Sequence, residues 1–268
     1  MPVNLWDLAK EQIVNDQEQQ QRKNETIGTD TGHAESHVIL CGSKNSGKTT
    51  LILRFLDRDE PPKPTIALEY TYGRRTRGNS KEVAHIWELG GGTLLSNLLA
   101  VPISESTLET TSLMLVVDLS KPSELWVTLQ NSIAMIRQHV DAAMSELKKT
   151  RPKVAAELEG NAWSHFQPEE KKLLKPFVIP IAIVASKYDI FQNFDSEQKK
   201  LICKTLRFVA HRNGASLHFF SSKIETLVSR GRSLFSHLSF ATATSKAIAV
   251  DHQKPIFVPA GADSFAEI

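Results

Sequence analysis

Residues Gly42, Ser43, Lys44, Asn45, Ser46, Gly47, Lys48 and Thr49 satisfy the pattern G-x-x-x-x-G-K-[ST] at every fixed position. Few short patterns constrain a fold as tightly, because this one works only between a buried strand and a helix start. Both flanks are present. Residues 37–41, His-Val-Ile-Leu-Cys, read as a core strand, and Thr50 to Leu56 open an amphipathic helix. The glycines let successive backbone N–H groups face one anion, and the helix N-terminus adds its dipole. Lys48 is placed to reach β- and γ-phosphates, and the Thr49 hydroxyl to ligate Mg²⁺. The pattern predicts a phosphate-loop α/β fold.

The rest of the chain alternates strands and helices, as a mostly parallel sheet requires. Strands are predicted at 37–41, 65–72, 82–88, 112–118, 178–185 and 216–220. Helices are predicted at 48–56, 124–149, 196–213 and 224–238, with residues 72–79 as a hairpin turn carrying Arg74, Arg75 and Arg77. The six strands define a Ras-like G domain over residues 36–240, with a polar, helix-prone insertion at about 148–176. Residues 1–35 form an N-terminal helix and linker, the helix marked by Leu5, Leu8, Ala9 and Ile13 at helical spacing. Residues 241–268 carry two apolar stretches, 247–250 and 255–259, and are expected to pack on the domain or a partner.

Composition excludes several classes. A formal net charge of +2 offers no electrostatic case for a nucleic-acid surface. The longest apolar runs are strand-length, so no membrane insertion is expected, and no secretory signal is visible. Cys41 and Cys203 fall on a core strand and a helix, which points to buried free thiols and a reducing, cytoplasmic compartment. The histidines show no metal-ligand spacing, and there is no nucleophile elbow or paired-carboxylate site.

Downstream motifs decide which phosphate-loop class this is. Thr65 opens the second predicted strand, where Ras- and Arf-type GTPases place a Mg²⁺-binding threonine. Trp87 to Gly92 (W-E-L-G-G-G) resembles the W-D-x-G-G-Q of Arf-like GTPases. Glu88 stands where an aspartate holds a Mg²⁺-bound water, and its extra methylene crowds an octahedral shell. Gly91 is placed to offer its N–H to a γ-phosphate. Gly92 replaces the glutamine that orients the attacking water, which argues against fast hydrolysis.

Ser186, Lys187 and Asp189 follow the fifth strand in the manner of the guanine-reading [NT]-K-x-D motif. Asp189 can accept from guanine N1–H and N2–H₂, a donor pair that adenine lacks. Ser186 in place of asparagine is expected to weaken the tie to the phosphate loop. Ser221, Ser222 and Lys223 end the sixth strand like the S-A-K base-binding turn. Arg58 is a candidate internal arginine finger, and Asp118 is expected to cap the following helix without chemistry.

The wording of these motifs carries a family likeness. Residues 42–50, the run from Leu56 to Arg75 containing E-Y-T-Y-G-R-R, W-E-L-G-G-G, D-L-S-K-P-S-E-L-W at 118–126 and S-K-Y-D at 186–189 resemble the dynein light intermediate chains, in particular their dynein-2 members. The likeness runs from Leu5-Trp6 through Asp263 to Phe265. It implies a non-catalytic motor subunit whose partners are the dynein-2 heavy chain, other dynein-2 subunits and the intraflagellar transport machinery. The implied setting is the cytoplasm, cilium, basal body and axoneme. Family members usually continue past the point matching Ile268. Their dynein-1 branch has eroded nucleotide motifs, whereas this chain keeps Lys48, Thr49 and Asp189, so GTP or GDP with Mg²⁺ remains the expected ligand. The alternative is a working GTPase switch that borrows its catalytic group from a partner.

Overall fold

The computed structural model describes residues 34–78, 80–164, 166, 168–243 and 247–268. The predicted N-terminal helix lies outside these residues. The described residues build one seven-stranded sheet in the order β2-β3-β1-β4-β5-β6-β7. Its strands are β1 Ala34–Gly42, β2 Leu68–Arg77, β3 Ser80–Leu89, β4 Thr111–Asp118, β5 Ile181–Ser186, β6 Ser216–Phe219 and β7 Phe257–Val258. The five strands from β3 to β6 are parallel to their neighbours, and β2 and β7 close the two edges antiparallel. Every residue of β4 and β5 is buried, as expected of central parallel strands covered on both faces.

Two helical layers do the covering. On one face α1 (Lys48–Phe55) and α6 (Glu225–Phe240) pack Leu51, Ile52, Val228 and Phe235 against Val38, Leu40, Ile86 and Val184. On the other, α2 (Pro122–Thr150) and α5 (Ser196–Arg212) lie over Ile39, Leu113, Leu115 and Ile183. In α2 the buried positions Leu125, Leu129, Ser132, Ile136, Val140, Met144 and Leu147 recur every three to four residues, which gives one largely apolar stripe along the 29-residue helix. Pro152 then stops the helix: Arg151 before it leaves the helical region (φ −134°, ψ 70°), and α3 (Pro152–Trp163) starts anew. A four-residue helix, α4 (Tyr188–Phe191), follows β5.

Several boundaries differ from the sequence reading, each for a local reason. Residues 34 and 35, assigned to the linker by composition, begin β1 and pair with Glu82 and Val83. The second strand starts at Leu68 rather than Thr65, because its partner ladder ends at Leu89 and Gly90 instead donates to the Ala67 carbonyl at 2.6 Å. Pro180 has no N–H, so the fifth strand begins at Ile181 rather than at 178. The hairpin turn is shorter than expected, since pairing runs out to Arg77↔Ser80. Arg74, Arg75 and Arg77 therefore lie on the edge strand, where Arg74 covers the Tyr72 ring and Arg75 pairs with Glu82 at 3.8 Å. The sheet gains a seventh strand from the second apolar stretch of the tail. Leu217 pairs with Val258, and Arg207 on α5 grips Asp263 through two hydrogen bonds of 2.8 and 2.6 Å.

Candidate functional site

The loop between β1 and α1 is shaped by its glycines. Gly42 sits at φ +137°, and a Cβ there would lie 1.9 Å from the Val116 carbonyl oxygen on β4. No other residue fits. Gly47 at φ +93° caps α1, and no side chain bonds the helix start. The first-turn N–H groups of an α-helix have no intrahelical acceptor, so this end is a ready anion site. The buried Ser46 hydroxyl has no hydrogen-bond partner among the described residues, a vacancy that a phosphate oxygen would fill. Lys48 is buried, and its Nζ donates to Ser43 O at 2.9 Å and Gly42 O at 3.4 Å. Burial lowers its pKa, against the attraction of Glu88. Cys41 lies beneath the loop, buried and free, with burial pushing its thiol up to about 12. It is inert as a nucleophile there.

Three oxygen groups converge at the far wall. Thr49 Oγ1 donates to Glu88 Oε1 at 2.8 Å, and Thr65 Oγ1 stands 3.5 Å from Thr49 Oγ1. Thr65 reaches this position from the coil before β2. Burial raises the Glu88 pKa, partly opposed by hydrogen bonds from Thr49 and Thr65 and by the Lys48 charge. Because the Thr49 proton goes to Glu88, its lone pairs are left for a cation. Hard oxygen donors suit Mg²⁺, so Thr49 and Thr65 could ligate the ion directly, with Glu88 behind them. Among the described residues no group of three His, Cys, Asp or Glu could hold a metal unaided. Lys44 to Thr50, Pro62 to Thr65, Glu88, Gly90 and Gly91 line one cleft of about 230 Å³. Gly91 and Gly92 both adopt positive φ, and nothing lies within 4 Å of where a Gly92 Cβ would be. That position presents no group to a water.

The other end of the site is assembled from the tops of β4, β5 and β6. Ser186 Oγ lies 2.6 Å from the Ser46 carbonyl and 3.0 Å from that of Val117. Serine is short, but the buried loop comes close enough for its hydroxyl to reach a loop carbonyl, so a tie is present. Lys187 takes a left-handed conformation (φ +61°) at the start of α4. Asp189 accepts from Ser221 Oγ at 2.7 Å and from Lys223 Nζ at 2.8 Å. Burial pushes its pKa up, but the Lys223 and Ser221 contacts outweigh this and hold it below the usual carboxylate range. Ser222 stands between these two residues on the same turn. In the S-S-K motif the residue that positions the aspartate is thus Ser221.

Two sequence expectations fail here. Asp118 does not cap α2, whose cap position Lys121 has no side-chain bond. Its Oδ1 instead accepts from the Ser120 N–H and hydroxyl, and its Oδ2 pairs with Lys187 Nζ. The signal was available in the topology: β4 and β5 are neighbours, and Asp118 is in register with Ser186. Arg58 does not face the loop. It pairs with Glu60 at 3.8 Å and lines an adjacent cavity of about 280 Å³ under α1. The cation that the connector does contribute to the phosphate cleft is Lys63.

A β1–loop–α1 phosphate cradle, two hydroxyls with a carboxylate at its wall, and an aspartate-bearing turn beyond it define a G-like domain of the phosphate-loop class. The family profile for "Dynein light intermediate chain (DLIC)" matches residues 25–168. The "Cytoplasmic dynein 2 light intermediate chain 1" of Bos taurus is 50% identical over 268 residues, covering 98% of this chain and 75% of that protein. The Homo sapiens protein of the same name is 48% identical with the same coverage. Among solved structures, "Crystal Structure of the Dynein Light Intermediate Chain's Conserved Domain" superposes with a TM-score of 0.67 at 18% identity. It covers 88% of this chain and 84% of that one. The chain belongs to the dynein light intermediate chain family.

Proposed function

We propose that this chain is a non-catalytic subunit of the cytoplasmic dynein-2 motor. Its G-like domain binds and stabilises the heavy chain, alongside other dynein-2 subunits and the intraflagellar transport machinery, for retrograde transport and cilium assembly. Its places of work are the cytoplasm, cilium, basal body and axoneme. The similarity to dynein-2 light intermediate chains over 98% of the chain supports the assembly. Among the described residues no helix is long and apolar enough to cross a membrane.

A guanine nucleotide with Mg²⁺ is proposed as a structural ligand. The loop N–H groups and Lys48 would hold its phosphates, Thr49 and Thr65 its metal, and Asp189 the guanine edge. When bound, the metal supplies charge neutralisation between the phosphates. The observation that carries the non-catalytic reading is Gly92. An otherwise complete cradle ends in a residue with no side chain to orient water, and only open space surrounds it.

The complete loop also supports a second reading, a GTPase completed by a partner's catalytic group. Nucleotide extracted from purified protein, followed by single-turnover hydrolysis, separates the two. Bound GDP or GTP without turnover is expected. Turnover above that of Lys48→Ala refutes the non-catalytic reading. Co-purification with a dynein-2 heavy-chain tail fragment tests the assembly, and Lys48→Ala and Asp189→Ala are expected to keep the complex. Loss of binding in both variants, with the fold intact, would make nucleotide part of the interface.

A further inference from the structure

The face of the molecule away from α1 and α6 carries a groove that the G-like site does not use. It runs between α2 and α5 and encloses about 340 Å³. Trp126, Leu129, Ile133 and Phe208 supply its apolar surface. Trp126 is 45% and Phe208 39% exposed, a large amount of ring area to leave in water. Leu201, one turn pair before Phe208 on α5, is 69% exposed and prolongs the same stripe.

The groove also has a direction. On α2 the facing positions run from Trp126 through Gln130 and Ile133 to Arg137. On α5 they run from Leu201 through Phe208 to Arg212. Each helix passes from bulky apolar residues to an arginine, and Lys175 joins them at the cationic end. Arg137 is held rigidly: its Nη2 donates to Lys175 O at 2.6 Å and Asn213 Oδ1 at 3.0 Å, and its guanidinium lies 3.9 Å over the Phe177 ring. Lys175 and Arg212 form no ion pair among the described residues. Asp141, outside the lining, attracts Arg137. The residues that line this end are three cations and no acid, so the groove wall is positive there.

The kind of occupant follows from this arrangement. From Trp126 to Arg137 the groove spans about 16 Å of helix, the length of three turns of a partner helix. An amphipathic helix with apolar residues on one stripe and carboxylates at one end matches both halves. A second copy of this face would set its own lining cations against these and bring no lining carboxylate to meet them. The chain's own tail already packs elsewhere on Phe208, where the Phe265 ring sits 5.5 Å away.

We propose that the α2–α5 groove seats an amphipathic helix of the dynein heavy-chain tail, apolar toward Trp126 and Phe208 and acidic where it meets Arg137, Lys175 and Arg212. This inference rests on the proposed function and names the contact face for it.

The test is binding of the full chain to a heavy-chain tail fragment, measured for the wild type, Trp126→Ala, Arg212→Glu and, on the opposite sheet edge, Tyr72→Ala. Trp126→Ala and Arg212→Glu are each expected to weaken binding by about tenfold or more, and Tyr72→Ala to leave it unchanged. The wild-type affinity falls with added salt, and Arg212→Glu flattens that dependence. Thermal melts show whether each variant remains folded. A photo-crosslinker at position 126 identifies the occupant directly and is expected to capture a heavy-chain helix. Wild-type affinity in folded Trp126→Ala and Arg212→Glu overturns the groove alone. So does a crosslink to a second copy or to residues 1–22 of this chain. A wild-type protein that does not bind the tail fragment overturns the proposed assembly and the groove with it.

Discussion

Replacing His218 with leucine isolates one proton-linked contribution to stability. His218 lies on β6 under the tail, buried, with Phe257 of β7 edge-on at 4.6 Å. Neither ring nitrogen has a hydrogen-bond partner among the described residues. Burial, with help from His237 and Arg230, lowers its pKa from 6.5 to about 3. The folded state therefore keeps the ring neutral at a pH where the unfolded chain has already taken up the proton. Stability from this group is fully present above the unfolded pKa of 6.5 and drains away as pH falls towards 3. At pH 5 the loss is about 2 kcal/mol, at roughly 1.4 kcal/mol per pH unit below 6.5. Leucine has no proton to bind. Urea unfolding of wild type and His218→Leu at pH 7.5 and 5.0 cancels the packing change of the substitution and leaves the linkage. The wild type should lose about 2 kcal/mol more than the variant between these two conditions. A pH effect equal in both proteins, to within about 0.5 kcal/mol, would refute the buried neutral histidine.

Two further substitutions probe how the tail and the site are held. Asp263→Ala strips the partner from Arg207, which is itself buried, and should cost about 3–5 kcal/mol in equilibrium unfolding. The double variant Arg207→Met with Asp263→Leu should recover much of that loss, and a loss below about 1 kcal/mol in the single variant contradicts the pairing. Ser186→Ala leaves the buried Ser46 carbonyl without its donor, which should destabilise the fold by about 1–3 kcal/mol. It should also weaken binding of a fluorescent GDP analogue relative to wild type, and unchanged affinity would show that the tie does not organise the loop.

Some of this molecule is legible residue by residue, and some only through the sheet. The phosphate loop could be read directly because its geometry is local: a Cβ at Gly42 would collide with the Val116 carbonyl, and Gly47 sits in a left-handed conformation that side chains rarely adopt. The central strands were readable because burial on both faces makes them continuous apolar runs. The end of the tail was not, since two residues of β7 between prolines show no period, and only the β6 edge makes them a strand.

The site divides along the same line. Lys48, Thr49 and Glu88 are recognisable as motif positions, whereas the Asp118–Lys187 pair joins residues 69 positions apart. Its existence depends on β4 and β5 being neighbours in one particular register. Asp118 read alone is a helix cap, because aspartate before a helix usually is one. Once Lys187 stands above the adjacent strand, its ammonium takes one carboxylate oxygen while Ser120 takes the other, and neither is left for the first turn of α2. That pairing has a consequence for the base end of the site. Lys187 is tethered by Asp118, while Lys223 and Ser221 hold Asp189. The side chains that would face a purine are therefore positioned by the protein's own ion pairs.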